Sequence, residues 1–168
     1  AAGAERAAAA GGITHLAAQP DCGPVDSTAV VRLIREQAGQ AGFARIMPIA
    51  AMTQGLAGDQ LAEMSTLAKA GCIAVGNAGR KVASALVLKR CLEYAATFDL
   101  PVMFRPQDAA LGAGGCAHEG PVATRLGLPG IPAVAESVDL SRDLLLVEAT
   151  GVRAHFQQIS SGDSLRLL

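Results

Sequence analysis

Three histidines, four cysteines, a serine pair and a glycine-rich run carry the reactive and ligand-holding chemistry open to this 168-residue chain. His15, His118 and His155 show neither HxH nor HExxH spacing, so no two share a strand or a helical turn from which to grip a metal. Each reads as a packed or surface histidine. Cys22, Cys72, Cys91 and Cys116 form no CxxC pair. Cys22 lies in loop sequence and would be a nucleophile only beside a general base, which nothing local supplies; a small apolar thiol is the expectation. Gly112-Ala113-Gly114-Gly115 lacks GxGxxG spacing and no GxxxxGK[ST] run occurs, which predicts a flexible loop and no nucleotide cradle. Ser160 and Ser161 suit a helix N-cap better than catalysis.

Positioning these side chains falls to an alternation of apolar runs and amphipathic stretches. Ala1–Ala10 reads as the end of a helix stopped by Gly11-Gly12, and Ile13–Ala18 as a strand. After loop residues Gln19–Pro24, Ser27 or Asp26 caps a helix carrying Val30, Val31, Ile34 and Ala38 at helical spacing. The pattern repeats as strand Arg45–Ile49 with helix Gly58–Lys69, and as strand Cys72–Gly76 with helix Val82–Thr97. Strand Pro101–Arg105 leads into the glycine-rich loop, and a helix near Ala133–Thr150 precedes strand Arg153–Ile159. The strands are continuous and apolar, as strands buried on both faces of a parallel sheet should be. The class is α/β, with five strands and about five helices forming an open sheet or part of a barrel. A complete eightfold barrel takes about 250 residues. In either architecture Gln19–Pro24, Asn77–Arg80, Arg105–Asp108 and Gln157–Ser161 gather at the carboxyl edge, where a site would be built.

Composition narrows the partners. Fourteen basic against fifteen acidic residues leave a net charge of −1 with no dense basic cluster, which gives nucleic-acid binding no support. With 51% hydrophobic and 17% charged residues, one folded domain over residues 1–168 is expected and global disorder is excluded. There is no apolar run of membrane-spanning length and no signal peptide, so a reduced cytoplasmic setting is expected. The start inside an alanine-rich stretch, without Met, predicts that the chain begins partway through a larger protein.

Several segments, in order along the whole chain, resemble one family. Ala8–Thr14 (AAAGGIT), Gln19-Pro20-Asp21, Gly127–Pro132 (GLPGIP), Arg142-Asp143-Leu144 and His155–Ser160 (HFQQIS) are similar to dihydroorotase of the amidohydrolase superfamily. The resemblance implies an incomplete (β/α)8 barrel and a place in pyrimidine biosynthesis. It also implies that active members use one or two zinc ions at the carboxyl edge to activate a water that opens the cyclic amide of dihydroorotate.

Carried over residue by residue, the resemblance implies a depleted site. Asn77-Ala78-Gly79 stands where the family has an acidic DDG motif, Arg105 where a zinc-binding histidine ends the fourth strand, and Gln158 where a further histidine ligand belongs. His155 remains as a non-ligand, and Asp21 replaces a substrate-contacting asparagine. The family's HxH pair would lie before Ala1. A guanidinium has no lone pair, so Arg105 cannot be a ligand; it either pairs with Asp108 or Asp21 in place of the lost metal charge, or reaches solvent. Asn77, Arg105 and Gln158 are thus expected as vestigial ligand positions, and Asp21, Asp108 and His155 as vestigial pocket positions. No catalytic residue and no metal are expected, unless an active zinc enzyme keeps its metal on residues outside this chain. The family also contains non-catalytic members that hold together the catalytic trimers of bacterial aspartate carbamoyltransferase. This implies such a pseudoenzyme, homo-oligomeric, with that transferase as partner. A small-molecule sensor using Asp21, Arg105 and Asp108 is the third expectation.

Overall fold

The computed structural model describes residues 2–21 and 23–168; Cys22 and the reading placed on it lie outside the described residues. Five parallel strands form one curled sheet in the order β1 (His15–Ala18), β2 (Arg45–Ala51), β3 (Ala74–Gly76), β4 (Val102–Phe104), β7 (Ala154–Phe156). The first half of β2 pairs with β1, Arg45 opposite His15, and its second half with β3, Ile49 opposite Ala74. That stagger is how a parallel sheet tilts into a barrel wall, and the result is a half-barrel.

Helices α2 (Thr28–Ala41), α3 (Met64–Lys69), α4 (Ala85–Thr97) and α6 (Val134–Thr150) alternate with these strands, and α1 (Ala2–Ala10) leads into β1. Alternation along each strand divides the residues between two faces. Ala50, Met52, Val75, Val102 and Phe104 join Leu88, Cys91, Leu92 and Ala95 of α4 in the main core. Phe104 and Phe156 stack across β4 and β7 with ring centroids 5.1 Å apart. The opposite face carries the small residues Ala51, Ala74 and Gly76, then Met103 and Arg105, so Arg105 belongs to the inner face of the half-barrel.

The expected helix over 58–69 forms only from Met64. Gly58 adopts φ +88°, and a Cβ there would collide with the carbonyl oxygen of Lys81. The chain instead makes a short 3₁₀ turn (Gln54–Leu56) and an antiparallel bridge from Thr53 to Leu61. Ser27 takes the N-cap position of α2 without capping it, while the Asp26 carboxylate accepts a hydrogen bond from Gly55 N at 2.8 Å. Strand β7 stops at Phe156, short of the expected Ile159, because Gln158 turns left-handed at φ +61°. The glycine-rich run Gly112–Gly115 is turn and loop, as expected, but the chain beyond it forms an unexpected second sheet: β5 (Ala117–His118) pairs with β6 (Gly130–Ile131), with α5 (Pro121–Leu126) between them. At the end of the chain Ser161 caps α7 (Gly162–Leu167), accepting from Ser164 N at 3.1 Å, as the serine pair suggested. Among the described residues no helix is long and apolar enough to cross a membrane.

Candidate functional site

Because all five strands are parallel, the segments after β1, β3, β4 and β7 emerge on one edge. A hydrogen bond from Gln19 Nε2 to Gln157 Oε1, 3.1 Å, ties the two outer strands together there. Between them, the end of β3 is fixed by a buried polar network. Thr53 Oγ1 donates to Asn77 Oδ1 at 2.7 Å and accepts from Gly58 N at 3.0 Å, while Asn77 Nδ2 donates to the Arg80 carbonyl at 3.2 Å. Both sides of the Asn77 amide are therefore used in holding the chain.

Arg105 follows β4 and lies across Gly79, whose absent Cβ would sit 3.1 Å from Arg105 Nε. The arginine is exposed and, among the described residues, forms no ion pair. Of the two alternatives, pairing or solvent, Arg105 takes solvent, and pairing with Asp108 fails for a local reason: Asp108 Oδ1 accepts from Ala110 N (2.9 Å) and Leu111 N (2.8 Å), an Asx turn that occupies the carboxylate. Asp21 stands in the turn after β1, on the sheet's other flank. His155 lies within β7, exposed. Asn77, Arg105 and Asp108 do line one cavity, with Gln107 and Asp139; Arg105 and Gln158 line a second, with His118.

Sequence reasoning missed the residues that brace this edge, all from α6. Glu136 accepts from Ser160 N, Ser160 Oγ (2.6 Å) and Ser161 N (2.9 Å). Burial alone would raise the Glu136 carboxyl, but the Ser160 and Ser164 hydroxyls and the two backbone N–H groups outweigh it and hold it at about 2. Asp139 Oδ2 accepts from Gln107 N at 3.1 Å, and Arg142 Nη2 reaches both Asp139 (2.8 Å) and Asp143 (2.7 Å). Asp143 is buried, and the cost of burying its charge pushes it up to about 6 despite Arg142. An acidic residue in the first turn of a helix after a Pro-Gly-Ile-Pro run was the one available signal for Glu136.

The three positions where the resemblance implies zinc ligands do not fit zinc. Zinc takes thiolate, imidazole or carboxylate. Arg105 has no lone pair, Gln158 offers only a neutral amide, and Asn77 already spends its amide on Thr53 and Arg80. Among the described residues no three His, Cys, Asp or Glu side chains converge on a point that could hold a metal.

The sequence profile of the "Dihydro-orotase-like" family matches residues 2–164. A "Dihydroorotase-like protein" of Pseudomonas putida is 52% identical over 97% of this chain and 39% of its own length, and one of Pseudomonas aeruginosa is equally similar. A "Dihydroorotase" of Syntrophobacter fumaroxidans is 45% identical over 96% of this chain and 37% of its own length. The chain thus spans under two fifths of the curated relatives it matches. In fold it resembles L-hydantoinase (dihydropyrimidinase) from Arthrobacter aurescens, with a TM-score of 0.74 and 18% identity over 97% of this chain and 38% of that one. The half-barrel is accordingly part of an amidohydrolase-type (β/α)8 barrel, and the chain belongs to the dihydroorotase-like family.

Proposed function

We propose that this protein is a non-catalytic dihydroorotase-like subunit of pyrimidine biosynthesis, cytoplasmic and homo-oligomeric, that holds together the catalytic trimers of aspartate carbamoyltransferase. The observation that carries the reading is Arg105, a permanent cation at the carboxyl end of β4 where the resemblance implies an imidazole ligand. The buried Thr53–Asn77 bond supports it, because Asn77 is committed to holding the edge. So does the greater identity to the Pseudomonas proteins named dihydroorotase-like, 52%, than to the Syntrophobacter protein named dihydroorotase, 45%. With Asn77 and Gln158 still in place, Arg105→His alone restores no zinc-dependent hydrolysis, since an activated water needs the whole coordination sphere.

Size-exclusion chromatography with light scattering on the full-length protein co-expressed with the transferase is the direct test. A large symmetric assembly that reverts to free trimers without this protein is expected. The reading fails if the trimer elutes unchanged and a deletion strain specifically lacks dihydroorotase activity. In that case the protein is an active zinc enzyme, and about one tightly held zinc per chain should be found by elemental analysis.

A further inference from the structure

The second cavity at the carboxyl edge lies between the ends of β4 and β7 and the β5–β6 pair, and Arg105, Gln107, His118, Gln158 and Ser160 line it. We propose that it is an oxyanion site, taking the carboxylate or phosphate group of a small molecule, with Arg105 as charged anchor and His118 and Gln158 as flanking donors. The proposal goes beyond the subunit reading and does not rest on it.

Charge accounting around the cavity points to an anionic occupant. Each neighbouring carboxylate already has partners: Asp108 the amides of Ala110 and Leu111, Glu136 those of Ser160 and Ser161, Asp139 the amide of Gln107 and the Arg142 guanidinium. Of the charged groups lining this cavity, Glu136 has its carboxylate oxygens taken up by Ser160 and Ser161, whereas Arg105 has neither a counter-charge nor a hydrogen-bond partner among the described residues. A guanidinium presents a planar fork of donors that matches a carboxylate or a phosphate, and Gln158 and His118 can add single hydrogen bonds from the sides.

The arginine is also seated. Its Nε lies 3.1 Å from where a Cβ on residue 79 would be, closer than most side chains tolerate, and residue 79, at φ +70°, is the glycine that leaves this space open. The flanking turns hold non-glycine residues in the left-handed region, Ala78 at φ +54° and Gln158 at φ +61°. Such strain persists where the surroundings over-determine a conformation, and it concentrates at binding sites.

Calorimetric titration of the full-length protein with sodium malonate and, separately, inorganic phosphate, each against sodium chloride at matched ionic strength, tests the proposal. Saturable binding of one ion at roughly millimolar concentration is expected. Tighter malonate binding identifies a carboxylate ligand and tighter phosphate binding a phosphorylated one. Arg105→Gln should weaken binding about tenfold or more, as loss of a charge-assisted pair does, whereas Arg153→Gln at the opposite edge should leave it unchanged. Amide shift mapping on the unmutated protein locates the ion without any variant, with perturbations expected at Arg105, His118 and Gln158. No saturable binding of either ion, equal binding by R105Q, or shifts confined to other regions would overturn the site. Ion binding that survives while transferase assembly fails would remove the subunit reading and leave this one standing.

Discussion

Helices α4 and α6 pack against each other beside the same sheet, yet different forces hold them. Helix α4 buries Leu88, Cys91, Leu92 and Ala95, an apolar stripe at helical spacing, and Ser84 caps its first turn by accepting from Val87 N at 3.2 Å. Helix α6 is longer, yet its buried residues are Ala135, Leu140 and the acidic Asp143. Its amino-terminal half spends its polar groups outward: the Ala135 carbonyl accepts from Asp108 N, Asp139 from Gln107 N, and Glu136 from the serines after β7. One helix stabilises the fold; its neighbour clamps the loops that form the site.

The sharpest way to break this contrast is to truncate a leucine in the middle of each helix. Leu92→Ala should cost about 2–5 kcal/mol in chemical denaturation, as a cavity in a filled core does. Leu145→Ala on α6, where the side chain is 66% exposed, should fall within about 0.5 kcal/mol of the parent. Comparable losses at both sites would show that α6 is held as α4 is.

A second effect separates two carboxylates on α6 itself. Asp143 rises from its ordinary 3.8 to about 6, so between those values the native state keeps a proton that the unfolded chain has lost. Stability therefore falls as pH increases through that window, by roughly 2–3 kcal/mol, and Asp143→Asn should flatten the slope. Glu136 behaves oppositely: held at about 2, it contributes stability that is present above its ordinary 4.5 and lost as pH drops through 2. Denaturation midpoints from pH 7 to pH 3 for the parent, D143N and E136Q distinguish the two. A parent and D143N with the same slope above pH 4 would contradict the clamp's buried charge.

The smallest effect concerns caps. Ser84→Ala should destabilise by about 1 kcal/mol, while Ser27→Ala, which removes no capping bond, should be nearly silent. Equal losses would mean that α2 relies on a cap absent from this structure.

The central strands were legible as apolar runs buried on both faces, as β3 and the second half of β2 are, whereas the outer strands β1 and β7 alternate exposed and half-buried residues because no further strand or helix covers that face among the described residues. Their alternation with helices then fixed the carboxyl edge and placed Asn77, Arg105, Asp108 and Gln158 on it. Contacts beyond a turn were not legible. Residues 58–63 have helix-compatible types, but Gly58 is needed against Lys81, and tertiary approach overrode local preference. Arg105 and Asp108 are three apart in sequence and opposite in charge, yet the aspartate prefers the adjacent amides of its own turn. Glu136 and Ser160, 24 positions apart, could be joined only once α6 and β7 were in place.

The sulfur atoms of the core have a use as clocks. Cys72 and Cys91 are buried, and burial pushes their thiols up to about 11 and about 12, whereas Cys116 is exposed beside β5. Alkylation requires a thiolate that the reagent can reach. Among the cysteines of the described residues, Cys116 should therefore be modified at once, and Cys72 and Cys91 only when the core packing around them opens. The lag between fast and slow modification reads out the frequency of that opening under native conditions, without denaturant.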